Sequence, residues 1–238
     1  AEASAENVVI RANAAPDEEV EALVSRYEEL TADLAERRVG TLGETLGREP
    51  GDDGEFAMGK VIADAQLAAT SQSQSGGADV AFMNPGGVRG ALEHTGSGDE
   101  TTVITYEDLH RVQPFNNTLV TMTLSGRQIH DLLEQQAQQE GTRILLPSAG
   151  FQYVWREDRD DGDHVDPEEI RLGGEPIDLD ADYRVTVNSY LAAGGDNFTI
   201  LEEGSAPLTG PVDLEAMVDY FSKHSPITAP GDDRIRVE

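Results

Sequence analysis

The chain has 238 residues, of which 46 are acidic and 17 basic, so its formal net charge at pH 7 is −29. A surface this acidic repels nucleic acid polymers and anionic membranes, so neither is an expected partner. Any pocket for an anionic ligand must therefore be lined by arginine or lysine side chains that offset the negative charge of the chain. The sequence contains no cysteine, which excludes disulfide bonds and thiol chemistry. No stretch of about 18 apolar residues occurs, so no membrane span is predicted.

The N-terminal part predicts a connector. The chain begins at Ala1 rather than Met, and we interpret it as a processed or excised piece whose signal peptide would lie outside it. After an Ala-rich lead, Pro16 and the acidic residues behind it predict a helix start. Apolar residues recur at helical spacing to about Arg38. We therefore predict a lead and connector helix over 1–38 and one domain over 39–238.

The remaining elements mix helices and strands without regular βαβ alternation. Apolar residues at helical spacing predict helices over 58–70, 106–111, 125–139 and 214–224. Alternating or short apolar runs predict strands over 79–83, 101–105, 118–124, 151–156, 170–172, 183–187 and 235–237. Residues 40–54 are rich in turn formers. The pattern predicts an α+β fold, in which mixed sheets are layered with flanking helices.

The residue types needed for metal-dependent hydrolysis are not arranged as a ligand set. A two-metal phosphoesterase needs Asp, His and Asn ligands that hold two ions about 4 Å apart. None of the five histidines lies in a D-x-H, N-H-[DE] or H-x-H pattern. The acidic run at 158–169 has Gly162 where a calcium loop needs a ligand, which favours a solvated hairpin tip. We expect no catalytic residue and no metal site in this chain.

Asn84-Pro85-Gly86-Gly87-Val88-Arg89 follows a predicted buried strand. The two glycines allow the backbone to approach a ligand, and Arg89 can bind phosphate or carboxylate oxygens with two parallel hydrogen bonds. The same residues also suit an ordinary turn that carries a surface arginine.

Two further loops carry aromatic residues. Gln113-Pro114-Phe115-Asn116-Asn117 places Phe115 between polar residues, where the ring either stacks on a base or fills the core beneath the loop. In the segment from Asn188 to Phe198, Tyr190 is followed by Gly194, Gly195 and Asp196. An aspartate there can bind ribose hydroxyls, or it can simply cap a glycine turn. Together the three segments suit a nucleotide, with a base to stack, a ribose to bind and a phosphate to orient.

The three segments occur in the order found in the C-terminal domain of 5′-nucleotidases, which this chain resembles over roughly residues 40–225. The stretch FAMGKVIADA at 56–65 resembles an early helix of the same domain. The resemblance implies an α/β/β/α arrangement of layers and a two-domain enzyme that is secreted, periplasmic or on the cell surface. In that enzyme, a covalently linked N-terminal metallophosphoesterase domain holds two divalent metal ions and performs hydrolysis. The C-terminal domain binds the nucleotide or nucleoside.

The resemblance also implies roles for individual residues. Phe115 and Tyr190 would sandwich the base, and Asn117 would bind the edge of the base. Asp196, in the turn with Gly195, would bind the ribose hydroxyls. The remaining implied ligand contacts are Asn84, Gly86, Gly87 and Arg89 on the ribose and phosphate side, and Gly150 in the lining before Phe151.

Several positions depart from the family pattern. Gly54 stands where the family often has an arginine, and Arg48 and Lys60 are the nearest basic residues. Asn116 and Asn197 replace two glycines, and Tyr190 replaces a phenylalanine. These differences leave the phosphate contact and the substrate open among nucleotides, UDP-sugars, cyclic nucleotides and other phosphoesters.

Two hypotheses follow. In the first, the chain is the nucleotide-recognition half of a secreted 5′-nucleotidase-type phosphoesterase and is inactive by itself. In the second, it is a non-catalytic extracellular module that binds small molecules on the same fold.

Overall fold

The computed structural model of the chain describes residues 3–5, 7–9, 15–138, 141–160, 162–231 and 233–238. The described helices are α1 (Glu18–Ala35), α2 (Ala57–Thr70), α3 (Tyr106–Val112), α4 (Gly126–Glu134), α5 (Ser189–Ala192) and α6 (Asp213–His224). The strands are β1 (Arg38–Leu42), β2 (Val80–Met83), β3 (Thr102–Thr105), β4 (Thr118–Ser125), β5 (Leu146–Pro147), β6 (Phe151–Trp155), β7 (Arg171–Leu172), β8 (Glu175–Pro176), β9 (Asp182–Asn188), β10 (Ser205–Val212) and β11 (Ile235–Val237). Among the described helices, none is long and apolar enough to cross a bilayer.

The strands form a mixed five-stranded sheet and two smaller sheets. The large sheet has the order β10-β4-β9-β2-β5, with β2 parallel to β9 and β9 antiparallel to β4. A second sheet has the order β11-β6-β7-β8, and β1 pairs with β3 in a two-stranded ribbon. Mixed sheets with flanking helices confirm the predicted α+β fold.

Strand β2 is buried on both of its faces and separates two apolar cores. Successive side chains of a strand point to opposite faces, so Val80 and Phe82 enter one core and Met83 enters the other. The first core contains α4 and the aromatic side chains of β6, and Phe82 meets Phe151 edge to face at 5.1 Å between ring centroids. The second core contains α2, α3 and α6. This burial fixes the position of the loop that follows β2.

Helix α4 begins as predicted but ends earlier. Ser125 accepts a hydrogen bond from the backbone N–H of Gln128, whose side chain bonds back to the Ser125 N–H, which forms a capping box. The helix was predicted to run to 139, but it ends at Glu134. Gln136 is fully buried, and its side-chain oxygen accepts from the Leu145 N–H at 2.7 Å and the Tyr153 hydroxyl at 3.0 Å. Position 139 itself lies outside the described residues.

Four described strands were not predicted: β1, β10 and the two-residue strands β5 and β8. Helix α1 ends at Ala35 rather than Arg38, because Arg38 begins β1, which pairs with β3 and extends to Leu42 into the segment interpreted as turns. Strand β10 was not predicted, because its sequence SAPLTGPV is poor in strand-forming residues. It pairs with β4, and its register shifts twice. Pairing across the sheet, rather than local propensity, makes β10 a strand.

Candidate functional site

The three predicted segments meet at one edge of the large sheet. Strands β2 and β9 are parallel, so Asn84 after β2 and Asn188 at the end of β9 reach the same edge. The Asn188 side-chain nitrogen donates to the Asn84 side-chain oxygen at 3.0 Å. Strand β4 is antiparallel to β9 and pairs Leu119 with Asn188, which brings the Phe115 loop to this edge as well. The prediction that these loops lie together agrees with this geometry.

A cleft with a volume of about 420 Å³ opens between the three loops. Phe115 is 51% exposed and Tyr190 48% exposed, so neither ring serves as a core plug. Both line the cleft from separate loops. The described residues that line the cleft are Asn84, Gly86, Gly87, Phe115, Asn117, Asn188, Tyr190 and Asp196.

The Asp196 carboxylate is the polar centre of this cleft. Its Oδ2 atom accepts from the Asn84 side-chain nitrogen at 2.7 Å. Its Oδ1 atom accepts from the Tyr190 hydroxyl at 2.9 Å and forms an ion pair with the Arg143 Nη1 atom at 3.0 Å. The Asp196 carbonyl accepts from the Gln138 side chain at 2.6 Å. Asp196 has a φ of 55°, in the left-handed region, so these bonds hold the residue in a sparsely populated backbone conformation.

Close packing requires glycine at position 195 and favours it at position 87. A Cβ atom on Gly195 would lie 2.6 Å from the Tyr190 ring atom Cε1 and 2.5 Å from the Tyr190 carbonyl oxygen. A Cβ atom on Gly87 would lie 2.5 Å from the Met83 methyl carbon. The glycines therefore allow the turns to pack directly beneath Tyr190 and behind Asn84.

Arg89 lies beside the cleft rather than in its lining. Its backbone N–H donates to the Val112 carbonyl at 2.8 Å, which ties the loop after β2 to the end of α3. The Arg89 guanidinium carbon lies 5.9 Å from the centroid of the Phe115 ring, within reach of a cation–π contact. Arg89 therefore places a positive charge at the Phe115 end of the cleft.

A second cleft of about 470 Å³ adjoins the first and shares Gly86 and Asp196 with it. Arg48 and Arg143 both line this second cleft. The Arg48 Nε atom donates to the Val88 carbonyl at 2.6 Å, which fixes the guanidinium beside the loop after β2. Gly54 also lines this cleft, so Arg48 supplies a positive charge close to the position where the expected arginine is missing.

The first residue of α6, Asp213, contacts Asn117. Its backbone carbonyl accepts from the Asp213 N–H at 2.8 Å, and its side-chain oxygen accepts from the Ser189 hydroxyl at 3.4 Å. Asp213 is 2% exposed, and burial raises the pKa of its carboxyl from 3.8 to about 6. The hydrogen bond that the Leu214 N–H donates to the Asp213 carboxylate at 2.8 Å limits that rise of the pKa.

The structure does not bring Gly150 into the cleft. Strand β5 runs antiparallel to β2, with Leu146 opposite Met83 and Pro147 opposite Phe82, so the chain moves away from Asn84 as it approaches residue 150. The Gly150 carbonyl instead accepts from the Gly173 N–H at 2.8 Å. The next residue, Phe151, lies in the apolar core that also contains Val80 and Phe82 of β2.

Among the residues at the two clefts that were not predicted as ligand contacts are Asn188, Arg143 and Arg48, and Gln138 beside them contacts Asp196. Asn188 could have been found, since it ends a strand parallel to the one that precedes Asn84. Gln138 and Arg143 lie in the connection after α4 and carry no motif, so only the tertiary fold brings them to Asp196. Among the described residues, no group of three or more His, Asp or Glu side chains is arranged to hold a metal ion.

Comparisons with known proteins identify relatives of this chain. The chain is 31% identical over 228 residues to Endonuclease YhcR of Bacillus subtilis (strain 168), covering 93% of this chain and 17% of that protein. It is 36% identical over 163 residues to a 5′-nucleotidase of Vibrio parahaemolyticus, covering 68% of this chain and 27% of that protein. The chain thus spans less than a third of either relative.

A solved structure has the same fold. The 5′-nucleotidase precursor from Thermus thermophilus superposes with a TM-score of 0.76 at 31% identity, covering 92% of this chain and 42% of that one. The family profile described as 5′-nucleotidase, C-terminal domain, matches residues 36–203. The matched range contains all three loops of the cleft and both arginines of the adjoining one. The chain therefore belongs to the 5′-nucleotidase C-terminal domain family.

Proposed function

We propose that the cleft binds the nucleoside part of a nucleotide, with the base between Phe115 and Tyr190. The observation that carries the proposal is the pair of half-exposed aromatic rings from separate loops that line one cleft. A flat base would cover both rings and gain stacking energy, typically about 1–3 kcal/mol per base. Asn117, in the same lining, would bind the edge of the base.

The ribose would lie at Asp196. A carboxylate offers about four acceptor positions, and three described side chains, Asn84, Tyr190 and Arg143, occupy three of them. One position is left for a ribose hydroxyl without loss of any existing bond. Gly86 and Gly195 flank Asp196 and would let the sugar approach the backbone.

The phosphate would be bound on the side of Arg89 and Arg48. Among the described residues, no carboxylate forms an ion pair with either side chain, although the chain carries 46 acidic residues against 17 basic ones. Arginines left without a carboxylate in so acidic a chain favour an anionic ligand. Arg48 would supply the phosphate contact of the arginine that is expected at Gly54.

Hydrolysis would be performed elsewhere in the whole protein. We assign it to a covalently linked N-terminal metallophosphoesterase domain with two divalent metal ions, acting in the periplasm, at the cell surface or in the medium. The assignment is supported by family membership, and by the greater length of the relatives. A strongly acidic surface suits such a setting and opposes binding of a nucleic acid polymer.

Helix α1 would connect the two domains, with residues 1–38 as lead and connector and 39–238 as the binding domain. The family match begins at residue 36, directly after this helix. Six apolar side chains of α1 are between 48% and 69% exposed, namely Val20, Leu23, Val24, Tyr27, Leu30 and Leu34. The linked domain would cover this apolar face, because a surface stripe of this kind is otherwise unfavourable in water.

A second candidate function is a non-catalytic module that binds a nucleoside or similar molecule. It is favoured by one observation, that both half-exposed rings and the Asp196 carboxylate line one cleft although the described residues contain no group arranged to hold a metal ion. The two candidates differ in what the natural-length protein does. Metal-dependent release of phosphate from AMP is expected of the first and not of the second.

Isothermal titration calorimetry of this chain with adenosine, AMP and UDP-glucose tests the proposed cleft. The matched control is Val103→Ala, which truncates an exposed apolar side chain on β3, outside the lining residues. Binding of adenosine and AMP by both proteins is expected. Lack of binding to all three ligands would overturn the nucleoside assignment, and AMP hydrolysis by this chain alone would overturn the assignment of catalysis to another domain.

A further inference from the structure

The Tyr190 hydroxyl forms two hydrogen bonds with Asp196. It donates to the Asp196 Oδ1 atom at 2.9 Å and accepts from the Asp196 backbone N–H at 3.1 Å. The single proton of the phenol is therefore used on the Asp196 carboxylate. Moving the hydroxyl away from Asp196 would break both bonds together, so the two residues are joined more firmly than by either bond alone.

These bonds leave the two oxygens of the Asp196 carboxylate unequal. Each carboxylate oxygen accepts about two hydrogen bonds. Oδ1 accepts from the Tyr190 hydroxyl and from the Arg143 Nη1 atom at 3.0 Å, so both of its positions are occupied. Oδ2 accepts from the Asn84 side-chain nitrogen at 2.7 Å, which leaves one position on that oxygen.

The remaining acceptor position of Oδ2 is on the side of the cleft lined by Gly86. A Cβ atom on Gly86 would lie 3.7 Å from Oδ2, so the glycine leaves room for a ligand in front of this oxygen. Gly86 and Asp196 both line the cleft with Phe115 and Tyr190. A ligand stacked against the rings therefore meets one acceptor position of Asp196, not two.

The number of acceptor positions determines how much of a sugar Asp196 can bind. A carboxylate with both oxygens open can accept the two neighbouring hydroxyls of a ribose, one at each oxygen. With Oδ1 occupied, Asp196 can accept only one of them without breaking an existing bond. The other hydroxyl gains nothing from Asp196, so its absence from a deoxyribose costs no bond there.

We propose that Tyr190 is a specificity-determining residue, whose hydroxyl limits Asp196 to a single sugar hydroxyl, so that the cleft accepts deoxynucleosides as well as ribonucleosides. The inference rests on the proposed nucleoside function of the cleft and defines its substrate class by the sugar. The Tyr190 ring would stack on the base, and the hydroxyl would act separately on the carboxylate. Deleting only the hydroxyl would keep the stacking face and open Oδ1 to the second sugar hydroxyl.

Four nucleosides that share one base test the sugar preference. Calorimetry on this chain compares adenosine with 2′-deoxyadenosine, 3′-deoxyadenosine and 2′,3′-dideoxyadenosine. At least one of the two monodeoxy compounds should bind within about twofold of adenosine, because one hydroxyl suffices. The dideoxy compound should bind about fivefold more weakly, because it leaves the acceptor position of Oδ2 unpaired.

Tyr190→Phe should make the cleft discriminate against deoxyribose. Both monodeoxy compounds should then bind about fivefold more weakly than adenosine, because adenosine fills both carboxylate oxygens and each deoxy compound leaves one unpaired. Tyr183→Phe is the matched control. The Tyr183 hydroxyl accepts from the Asp178 backbone N–H at 2.8 Å, as that of Tyr190 does from Asp196, but Tyr183 does not line the cleft. It should leave all the Kd ratios unchanged.

Three results of the titrations would overturn the inference. In the wild type, fivefold weaker binding of both monodeoxy compounds would show that Asp196 binds two hydroxyls, and dideoxyadenosine binding as tightly as adenosine would show that it binds none. Wild-type ratios in Tyr190→Phe would show that the hydroxyl does not set the preference. These results leave base binding intact, whereas lack of binding to all four nucleosides would contradict the proposed function, and the inference with it.

A measurement without ligand tests the contact itself. The backbone amide proton of Asp196 in ¹H–¹⁵N spectra reports the bond that it donates to the Tyr190 hydroxyl. We expect this resonance to move upfield in Tyr190→Phe and to stay in place in Tyr183→Phe. An Asp196 resonance that is unchanged in Tyr190→Phe would overturn the inference whether or not the wild-type cleft binds a nucleoside.

Discussion

Two aspartate–arginine ion pairs in this chain differ in their geometry and in the exposure of the arginine. Asp64 of α2 and Arg234 form two parallel bonds of 2.8 and 2.9 Å, and the Arg234 side chain is 1% exposed. Asp196 and Arg143 at the cleft share a bond of 3.0 Å, and the Arg143 side chain is 39% exposed. The two carboxylates are similarly exposed, 12% for Asp64 and 17% for Asp196, so the pairs differ in the burial of the arginine and in the two clefts that the second pair borders.

The surroundings of the two carboxylates explain the difference. The Asp64 Oδ1 atom also accepts from the Ala149 N–H at 2.7 Å, and Arg234 also donates to the Pro147 carbonyl at 2.9 Å, so backbone groups complete that pair. Asp196 is held by side chains of three separate segments. Such bonds can be exchanged for ligand hydroxyls one at a time. Buried bidentate pairing thus joins segments of the fold, and pairing at the edge of a cleft leaves the carboxylate available.

The largest effect is expected from breaking the buried pair. Arg234→Ala leaves Asp64 without its cation in an almost closed site, which should lower the free energy of unfolding by about 3–5 kcal/mol. Chemical denaturation measures this change. Arg236→Ala, two residues along and 63% exposed, is the control and should change the stability by less than about 1 kcal/mol. A similar loss of unfolding free energy in both variants would contradict the comparison. If Arg234→Ala does not fold, Asp64→Asn replaces it in the test.

Asp213 extends the comparison, because it is a buried carboxylate that accepts a hydrogen bond from a backbone group, the Leu214 N–H at 2.8 Å. Its pKa is raised from 3.8 to about 6, so the folded protein holds this proton more tightly than the unfolded chain does. Stability from this group is therefore greatest below about pH 4 and is lost as the pH rises to about 6, by on the order of 3 kcal/mol.

The variant Asp213→Asn cannot titrate and isolates this effect. The stability of the wild type relative to the variant should fall between about pH 4 and pH 7, as measured by urea unfolding at each pH. A constant difference would show that burial does not raise the pKa of Asp213.

Removing either ring should weaken nucleoside binding without a comparable loss of stability. Phe115→Ala and Tyr190→Ala are each expected to reduce the free energy of adenosine binding by about 1–3 kcal/mol, since each removes one stacking face. Titration calorimetry measures the loss, with Val103→Ala as the control. Unchanged affinity in both variants would remove the assignment of the cleft to a base.

Arg89→Ala should affect charged ligands more than neutral ones. We expect AMP to lose about 1 kcal/mol more binding energy than adenosine, because Arg89 faces the phosphate side of the proposed ligand. The difference, measured by the same calorimetry, should shrink at high salt. Equal losses for AMP and adenosine would contradict the placement of the phosphate beside Arg89.

The smallest effect is expected from removing only the Tyr190 hydroxyl. Tyr190→Phe keeps the ring but deletes the bonds of 2.9 Å to Asp196 Oδ1 and 3.1 Å to the Asp196 N–H. The affinity for adenosine should change by less than about threefold, because stacking is retained and Arg143 still holds Asp196. A loss as large as that of Tyr190→Ala would mean that the hydroxyl, not the ring face, binds the ligand.

Much of the cleft could be predicted from sequence, because its loops follow strands with strong local signals. The buried run of β2, the alternation in β4 and the glycine turns beside Tyr190 each indicate their own structure. The family resemblance then predicts that Phe115, Tyr190 and Asp196 act together, and the structure places all three in one cleft.

The parts that could not be predicted depend on contacts between distant segments. Strand β10 has weak local propensity, so the contact between Asp213 and Asn117 cannot be predicted without the β4–β10 pairing. Arg143 reaches Asp196 from the connection after α4, where its N–H donates to the Gln136 carbonyl at 2.8 Å, and no local pattern marks that contact. Gly150 shows the converse, since the direction of β5 carries it away from the cleft.

The position of the base between Phe115 and Tyr190 is the central claim, and ring protons report on it most directly. Proton NMR spectra of this chain, with aromatic resonances assigned by Phe115→Ala and Tyr190→Ala, would be recorded during titration with adenosine. We predict that ring currents of the stacked base shift the resonances of both rings upfield and produce nuclear Overhauser contacts from both rings to the base protons. Saturating adenosine that leaves both rings unshifted, or contacts only one of them, would contradict the sandwich and the function built on it.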